Sequence, residues 1–380
     1  MPESQKKIKI LFTIPNFDTA GSGKVVYDLA RGLDKALFEV HIACNHKRGA
    51  FFKTVEALGV PIHIIKTTIN YRPYLSLLKR LVPGVRFFKS QQFDIIHSWD
   101  WSSDWTEGLA ARLAGIKWVY TKKAMSWGHK HWKIRSFLAH YIITINNQMC
   151  DFFPWKQHQK LIPLGIDTQF YSPDHFKASQ EPYNNSAYHI ITVANLVPVK
   201  GIEILIKAVS LLENPKVKLS IIGDNTGHYG DYLKELCKTM RLDQQVVFLG
   251  KQTDVRPYLV TADLFVIPTL NKGRREGMPM ALVEAMSMGI PVLGSDIAGI
   301  NFVLKDFPEL LFESGNVEVL ADKIRLQMQY SKAQHLALGM LLRAYCNTHF
   351  TYELFIKQHE DLYLEILRKP QPKAEVKLYN

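Results

Sequence analysis

At 380 residues the chain is too long for one ordinary core, and its composition, 47% apolar and 22% charged, excludes a disordered or fibrous protein. Its longest apolar runs, such as residues 259–270, are broken by Asp263 and Pro268, short of the roughly 18 residues that span a bilayer. The net charge of +12 is lopsided: residues 1–165 hold 24 Lys and Arg against 11 Asp and Glu, and the remainder holds 23 against 24. The asymmetry fits a first half that faces something anionic, a lipid surface or nucleic acid, and equally fits ordinary solubilising charge.

The polar start, Met1–Lys9, shows no secretory pattern, and Cys44, Cys150, Cys237 and Cys346 lie far apart. They read as reduced thiols of a cytoplasmic protein. Lys7–Pro15 is a short apolar run ending in turn residues, the mark of a buried parallel strand. A helix with Val25, Val26, Leu29, Ala30 and Leu33 on one face follows. Further strands are expected at Phe38–Cys44, Pro61–Lys66, Phe93–Ser98, Lys117–Thr121, Tyr141–Ile145 and Lys160–Pro163. The stretch Asp167–Tyr188, with two prolines and Asn-Asn-Ser, reads as a linker. Alternation then restarts with strands at His189–Ala194, Val217–Ile222, Val246–Leu249, Leu264–Pro268 and Pro291–Ser295. Helices are expected at 201–212, 231–240 and 280–288. Two doubly wound α/β halves, with ligands in the cleft beyond their strand ends, follow from this pattern.

Four segments carry candidate chemistry. In Gly273–Gly289, Glu276 lies in a loop, Pro279 opens a helix and Glu284 sits about one turn inside it. Free amides at that helix start suit a phosphate, and the two carboxylates suit sugar and ribose hydroxyls. The same pattern also fits a capped surface helix with solvated carboxylates, or the acid and base of a glycosidase. The latter is disfavoured because both residues share one loop-helix unit. Lys200 opens the helix after VANLVPVKG, where a cation is disfavoured unless an anion is near. Gly21-Ser22-Gly23-Lys24 follows the first strand but matches neither a P-loop nor a dinucleotide fingerprint. It remains a turn that lets backbone approach a ligand. The basic-aromatic run Lys122–Arg135 offers Trp127 or Trp132 for stacking a sugar, either of its histidines, His129 or His131, as a base, or its lysines for a phosphate; it also fits an exposed basic loop packed through its tryptophans. Arg72–Lys89 mixes basic and apolar residues, as a surface-lying or an ordinary packed helix would. No Asp-x-Asp and no His/Cys cluster at metal spacing occurs, so no metal or other cofactor is expected.

Together these segments resemble the GT-B retaining glycosyltransferases often called family 4. The likeness is carried by VANLVPVKGIEILIKAV, LSIIGD, VVFLGKQTDVRPYLVTADLFVIPT, REGMPMALVEAMSMGIPVLGSDIAG and LLFESGN in that order, with DIIHSWD and LIPLGID earlier. The resemblance implies a GT-B fold: two doubly wound Rossmann-like domains facing a central cleft. The acceptor domain is expected over residues 1–170 and the nucleotide-sugar domain over 188–350. A helix at 351–369 would pack back toward the first domain, and 370–380 would be a tail. The resemblance implies that Glu276 with the amides of Gly277, Met278 and Met280 holds donor sugar and phosphates. Glu284 would hold the ribose, Lys200 the leaving diphosphate, and Gly21, Ser22 and Gly23 would close over that diphosphate. Three positions depart from the family pattern. Asn195 stands where an arginine is common, with Arg274 or Arg275 as replacement; Lys123 stands where a histidine is common, with His129 as substitute; and Asn301 replaces a glutamate.

The implied activity is metal-independent, retaining transfer from a nucleotide-diphosphate sugar, UDP being commonest, to a glycan or lipid-linked acceptor. The implied setting is bacterial surface polysaccharide or lipopolysaccharide assembly, in the cytoplasm or peripherally at the membrane through the basic first domain. Nucleic acid is not an expected partner, because no recognised binding motif accompanies the charge. A nucleotide-sugar epimerase of the same architecture and a non-catalytic donor-binding subunit are the competing readings.

Overall fold

The computed structural model describes residues 6–18, 21–125, 127, 129–176, 187–273 and 277–368. The first seven strands are β1 (Ile8–Thr13), β2 (Phe38–Cys44), β3 (Ile62–Ile64), β4 (Ile95–Ser98), β5 (Lys117–Lys122), β6 (Tyr141–Thr144) and β7 (Gln159–Leu161). They form one parallel sheet in the order β3-β2-β1-β4-β5-β6-β7. Side chains alternate across β1. Ile10 and Phe12 join the core under α1 (Gly21–Gly32) and α2 (Phe52–Glu56), whereas Leu11 joins a second core on the opposite face. That second core is closed by α3 (Leu77–Gln91), α4 (Thr106–Ala114) and α5 (His131–Leu138).

The second sheet contains β8 (Tyr188–Val193), β9 (Val217–Ile222), β10 (Val246–Gly250), β11 (Leu264–Ile267), β12 (Val292–Ser295) and β13 (Leu311–Phe312). Its order is β10-β9-β8-β11-β12-β13, again all parallel. It is wrapped by α6 (Ile202–Leu211), α7 (His228–Thr239), α8 (Arg256–Leu259), α9 (Met280–Ser287), α10 (Ala298–Val303), α11 (Val317–Met328) and α12 (Lys332–His349). In each sheet the chain starts mid-sheet, winds one way and then returns to wind the other. The switch points lie between β1 and β4 and between β8 and β11, where open α/β sheets bind ligands beyond the strand ends.

The final helix, α13 (Tyr352–Leu367), is capped by Thr351 and packs on the first domain. Tyr363 Oη lies 2.7 Å from His97 Nδ1 in a fully buried contact, and Glu360 accepts from the Asp34 amide. Burial holds His97 well below its ordinary pKa and His359, stacked on it, down at about 4. A Cβ on Gly32 would lie 2.3 Å from Tyr352 Oη, so only glycine lets α13 approach α1. The chain crosses between the domains at Ile166 and again at Thr351, and these residues pair as an isolated parallel bridge. Gly165 is required there, because its Cβ would sit 2.5 Å from the Thr351 carbonyl oxygen.

Strand ends differ from the sequence reading by a residue or two, and the two-residue edge strand β13 escaped it. The stretch read as a linker begins in order: Asp167 caps Gln169 and Phe170, and Pro173–Phe176 forms a 3-10 turn. Residues 177–186 of that stretch, and 370–380 read as a tail, lie outside the described residues.

Candidate active site

The second domain supplies one wall of the crevice. After β8 the chain passes exposed Asn195 and makes a 3-10 turn over Pro198–Lys200. Gly201 then takes φ +63°, and a Cβ there would lie 2.2 Å from the Pro268 carbonyl oxygen. The turn is thus pressed against the end of β11, and the Leu270 amide donates to the Val199 carbonyl at 2.8 Å. Lys200 is only 8% exposed at this junction. Pro279 immediately precedes α9 and Met280 is its first residue; the Leu282 amide donates to the Pro279 carbonyl, and the helix dipole places partial positive charge at this end.

Glu284 lies one turn further and is half-buried. Burial pushes its carboxyl up to about 7, while a hydrogen bond from the Tyr171 hydroxyl and the charge of Lys24 on α1 pull the other way. The same hydroxyl is pushed up by burial and then by the adjacent carboxylate. Tyr171 is fixed at its backbone, where its carbonyl accepts from Ser287 Oγ at 2.8 Å.

The first domain supplies the opposite wall. Gly21 and Ser22 begin α1, and Gly23 is buried where a Cβ would lie 2.9 Å from the Phe17 ring. Lys123, at the end of β5, donates from Nζ to Ser22 Oγ at 3.0 Å and to the Trp99 carbonyl after β4. Its own carbonyl accepts from the Gly277 amide at 3.1 Å. Asn146 is fully buried after β6; its Nδ2 donates to the Gly277 carbonyl at 2.6 Å, and its Oδ1 accepts from the Met149 amide. The Leu164 amide approaches Met278 Sδ at 3.3 Å. No larger residue fits at Gly277, whose Cβ would meet Met149 Cε at 2.3 Å and the Lys123 carbonyl at 2.7 Å. The loop before α9 is therefore latched to the first domain on both sides of Gly277.

Beside the latch, beyond β4 and β5, lies a pocket of about 180 Å³ lined by Asp100, Trp101, Ser103, Lys122, Lys123 and Trp132, among others. Lys122 Nζ is held over Trp132 (3.6 Å to the ring centroid) and Trp127 (4.4 Å). Lys123 belongs both to this pocket and to the latch.

The structure thus brings Ser22, Lys123, Gly277 and Met278 into one bonded group and sets Glu284 within the electrostatic reach of Lys24. His129 is not in that group: it is exposed and stacks edge-on against His131, which packs on Tyr71 and Trp105. Trp132 lines the pocket, whereas Trp127 stacks on Phe152 outside it. Arg274, Arg275 and Glu276 lie outside the described residues. Asn301 donates to Asp296 at 3.0 Å on the surface. Among the described residues no three His, Cys, Asp or Glu side chains gather as metal ligands. Sequence reading missed Tyr171, Asn146 and Trp101, and met Asp100 only as the last residue of DIIHSWD. Asn146 had a local signal, an asparagine heading a short helical turn.

Comparison with known proteins identifies the family and the fold. Residues 19–170 match the family model described as Glycosyltransferase Family 4, and residues 175–336 match Glycosyl transferases group 1. The amylovoran biosynthesis glycosyltransferase AmsK of Erwinia amylovora is 30% identical over 219 residues, 53% of this chain and 52% of that protein. The UDP-Gal:alpha-D-GlcNAc-diphosphoundecaprenol alpha-1,3-galactosyltransferase of Escherichia coli is 26% identical over 268 residues, 63% of this chain and 68% of that protein. The chain spans about half the length of the first curated relatives it matches. The crystal structure of Anabaena HepE in complex with UDP superimposes with a TM-score of 0.80 at 20% identity, over 94% of this chain and 100% of that one, and so shares the fold. The chain belongs to the group 1 glycosyltransferases of family 4 type and has their GT-B fold.

Proposed function

We propose that this glycosyltransferase moves a sugar from a UDP-sugar to a lipid-linked glycan with retention of anomeric configuration, during assembly of a bacterial surface polysaccharide. One observation carries the reading. Gly277, just before α9, is hydrogen-bonded to Lys123 of the first domain, which also holds Ser22, and Glu284 on α9 feels the charge of Lys24 on α1.

In this reading Glu284 accepts from the ribose hydroxyls. Lys200, the amides opening α9 and the Gly21–Gly23 turn surround the diphosphate, with Arg275 and Glu276 reaching the donor from the loop before Gly277. Asn195, where the family often has arginine, leaves more of that charge to Lys200 and Lys123. The acceptor sugar occupies the pocket, its ring on Trp101 or Trp132 and its hydroxyls on Asp100 and Ser103. As the bond from the anomeric carbon to the diphosphate oxygen breaks, the acceptor oxygen bonds the same face of that carbon. Its proton passes to the departing phosphate. The protein's task is to orient reactants and stabilise the growing negative charge, which ammonium groups and a helix dipole do without a metal. His129 has no part in this arrangement. UDP and the lipid-linked acceptor are supported by the name of the Escherichia coli relative and by the UDP complex of the structural neighbour.

A thermal-shift panel of UDP-, GDP- and ADP-sugars tests the donor assignment. Ligand at 100 times its dissociation constant stabilises the folded state by about 2.7 kcal/mol. The wild type is expected to respond to the UDP class, and Lys200→Ala and Glu284→Ala to lose the response. A wild type stabilised by no nucleotide sugar would remove the reading.

A further inference from the structure

Two stretches of the first domain hold no carboxylate. Between Glu56 and Asp94 there are six Lys or Arg and no Asp or Glu; between Glu107 and Asp151 there are seven and none. The fold brings the two stretches together. α3 belongs to the first, α5 and most of α4 to the second, and the three helices lie side by side on one face of the first sheet. They are anchored inward by Leu77, Leu81, Phe88, Ala111, Trp132 and Leu138.

Their outward side is apolar where an ordinary surface helix is polar. Leu75 is 103% exposed, Phe137 68%, Leu78 66% and Tyr74 60%. Leu75, Leu78 and Val82 follow one another at spacings of three and four, a single stripe away from the buried Leu77, Leu81 and Phe88. The inner stripe is buried in the core, whereas the outer one is left to solvent. Exposed Lys79, Arg86 and Lys89 flank it on α3, and Lys130 and Lys133 flank Phe137 on and beside α5. Arg80 is turned back instead. It donates to the carbonyls of Asn70 and Pro73 and to Ser76 Oγ, fixing on α3 the turn that presents Tyr74 and Leu75.

We infer that this face docks on an anionic lipid bilayer. Tyr74, Leu75, Leu78 and Phe137 enter the boundary between headgroups and acyl chains, and the flanking cations meet lipid phosphates. Nucleic acid would match the cations but gains little from leucine and phenylalanine on a convex helical face. α5 supplies both Trp132 to the pocket and Phe137 to this face, so docking holds the pocket beside the headgroups. The inference stands on exposure and charge alone and does not depend on the identity of the donor.

Vesicle flotation of the full chain tests it, with vesicles of phosphatidylcholine alone and of phosphatidylcholine with phosphatidylglycerol. The wild type is expected to float with the anionic vesicles and not with the neutral ones. The double variants Leu75→Asp/Leu78→Asp and Lys79→Glu/Arg86→Glu are expected to lose binding roughly tenfold or more while melting like the wild type. Equal binding by the leucine variant would overturn the proposal, as would equal binding to neutral vesicles. So would retention of duplex DNA in place of vesicles, or a dimer in light scattering that the leucine variant dissolves. A failed nucleotide panel with successful flotation would remove the donor assignment and leave the docking face standing.

Discussion

The two domains share a topology and divide the chemistry differently. In the second, the candidate donor contacts lie on the loop or helix that directly follows a strand: Lys200 after β8, Met280 and Glu284 on the helix after β11. In the first, the equivalent positions are assembled from β1, β4, β5 and β6, and meet only through tertiary bonds such as Lys123 to Ser22. One topology can therefore present candidate contacts through short local motifs in one domain and through long-range packing in the other. The donor half is expected to tolerate little change at single residues. The acceptor half is expected to distribute its losses.

The largest effect should come from the donor side. Lys200→Ala removes a buried cation from the diphosphate and is expected to lower turnover by about 10²- to 10³-fold, the cost of losing one preorganised charge partner. Steady-state kinetics with the responding donor checks it; a loss under tenfold would mean that other cations carry the charge.

A domain-coupling variant comes next. Asn146→Asp can still accept from the Met149 amide, but an ionised carboxylate cannot donate to the Gly277 carbonyl. Leaving that buried carbonyl unsatisfied costs about 1–3 kcal/mol, so turnover should fall by roughly 10- to 100-fold. Asn146→Ser offers a weaker donor and is expected to recover part of it. Amide exchange at residues 277–282 should accelerate in the aspartate variant, with β6 and the interior of α9 unchanged. Normal protection there would show that the latch does not hold the loop.

The third effect is a pH dependence. Glu284 titrates near 7 in the free protein because burial penalises its charged form. Ribose hydroxyls donate better to the carboxylate than to the acid, so nucleotide binding lowers that pKa and releases a proton. Affinity should therefore rise as pH climbs toward 7 and level off above it, by about tenfold in all for each unit by which binding lowers the pKa. Titrations between pH 6 and 8 check the slope, and Glu284→Gln should flatten it. An affinity that falls with rising pH would place the ribose elsewhere. The smallest effect belongs to the pocket. Trp101→Ala is expected to raise the acceptor KM by roughly three- to tenfold, the worth of one stacking contact, with donor binding unaffected.

The same contrast explains what was legible in the sequence. Hydrophobic runs of four to seven residues between turn signals revealed most strands, because parallel strands buried on both faces are apolar throughout. Lys200, Met280 and Glu284 could be placed because a strand, its loop and the next helix are contiguous. Tyr171 could not, since it reaches Glu284 from a segment that composition marks only as a linker. Asn146 reads as a helix cap; its second task, holding Gly277, spans 131 residues and leaves no spacing signal. His129 drew notice as a histidine in a basic loop, yet the fold pairs it with His131, because sequence reports residue type but not the direction of a side chain.

The most direct test of a single site shared by both domains is an equilibrium titration of UDP, in chelating buffer, against the wild type, Lys200→Ala and Lys123→Ala. The account predicts that the wild type binds without added metal and that both variants, one from each domain, bind at least tenfold more weakly, about 1.4 kcal/mol. Wild-type affinity in Lys123→Ala would contradict it, because the nucleotide would then rest on the second domain alone.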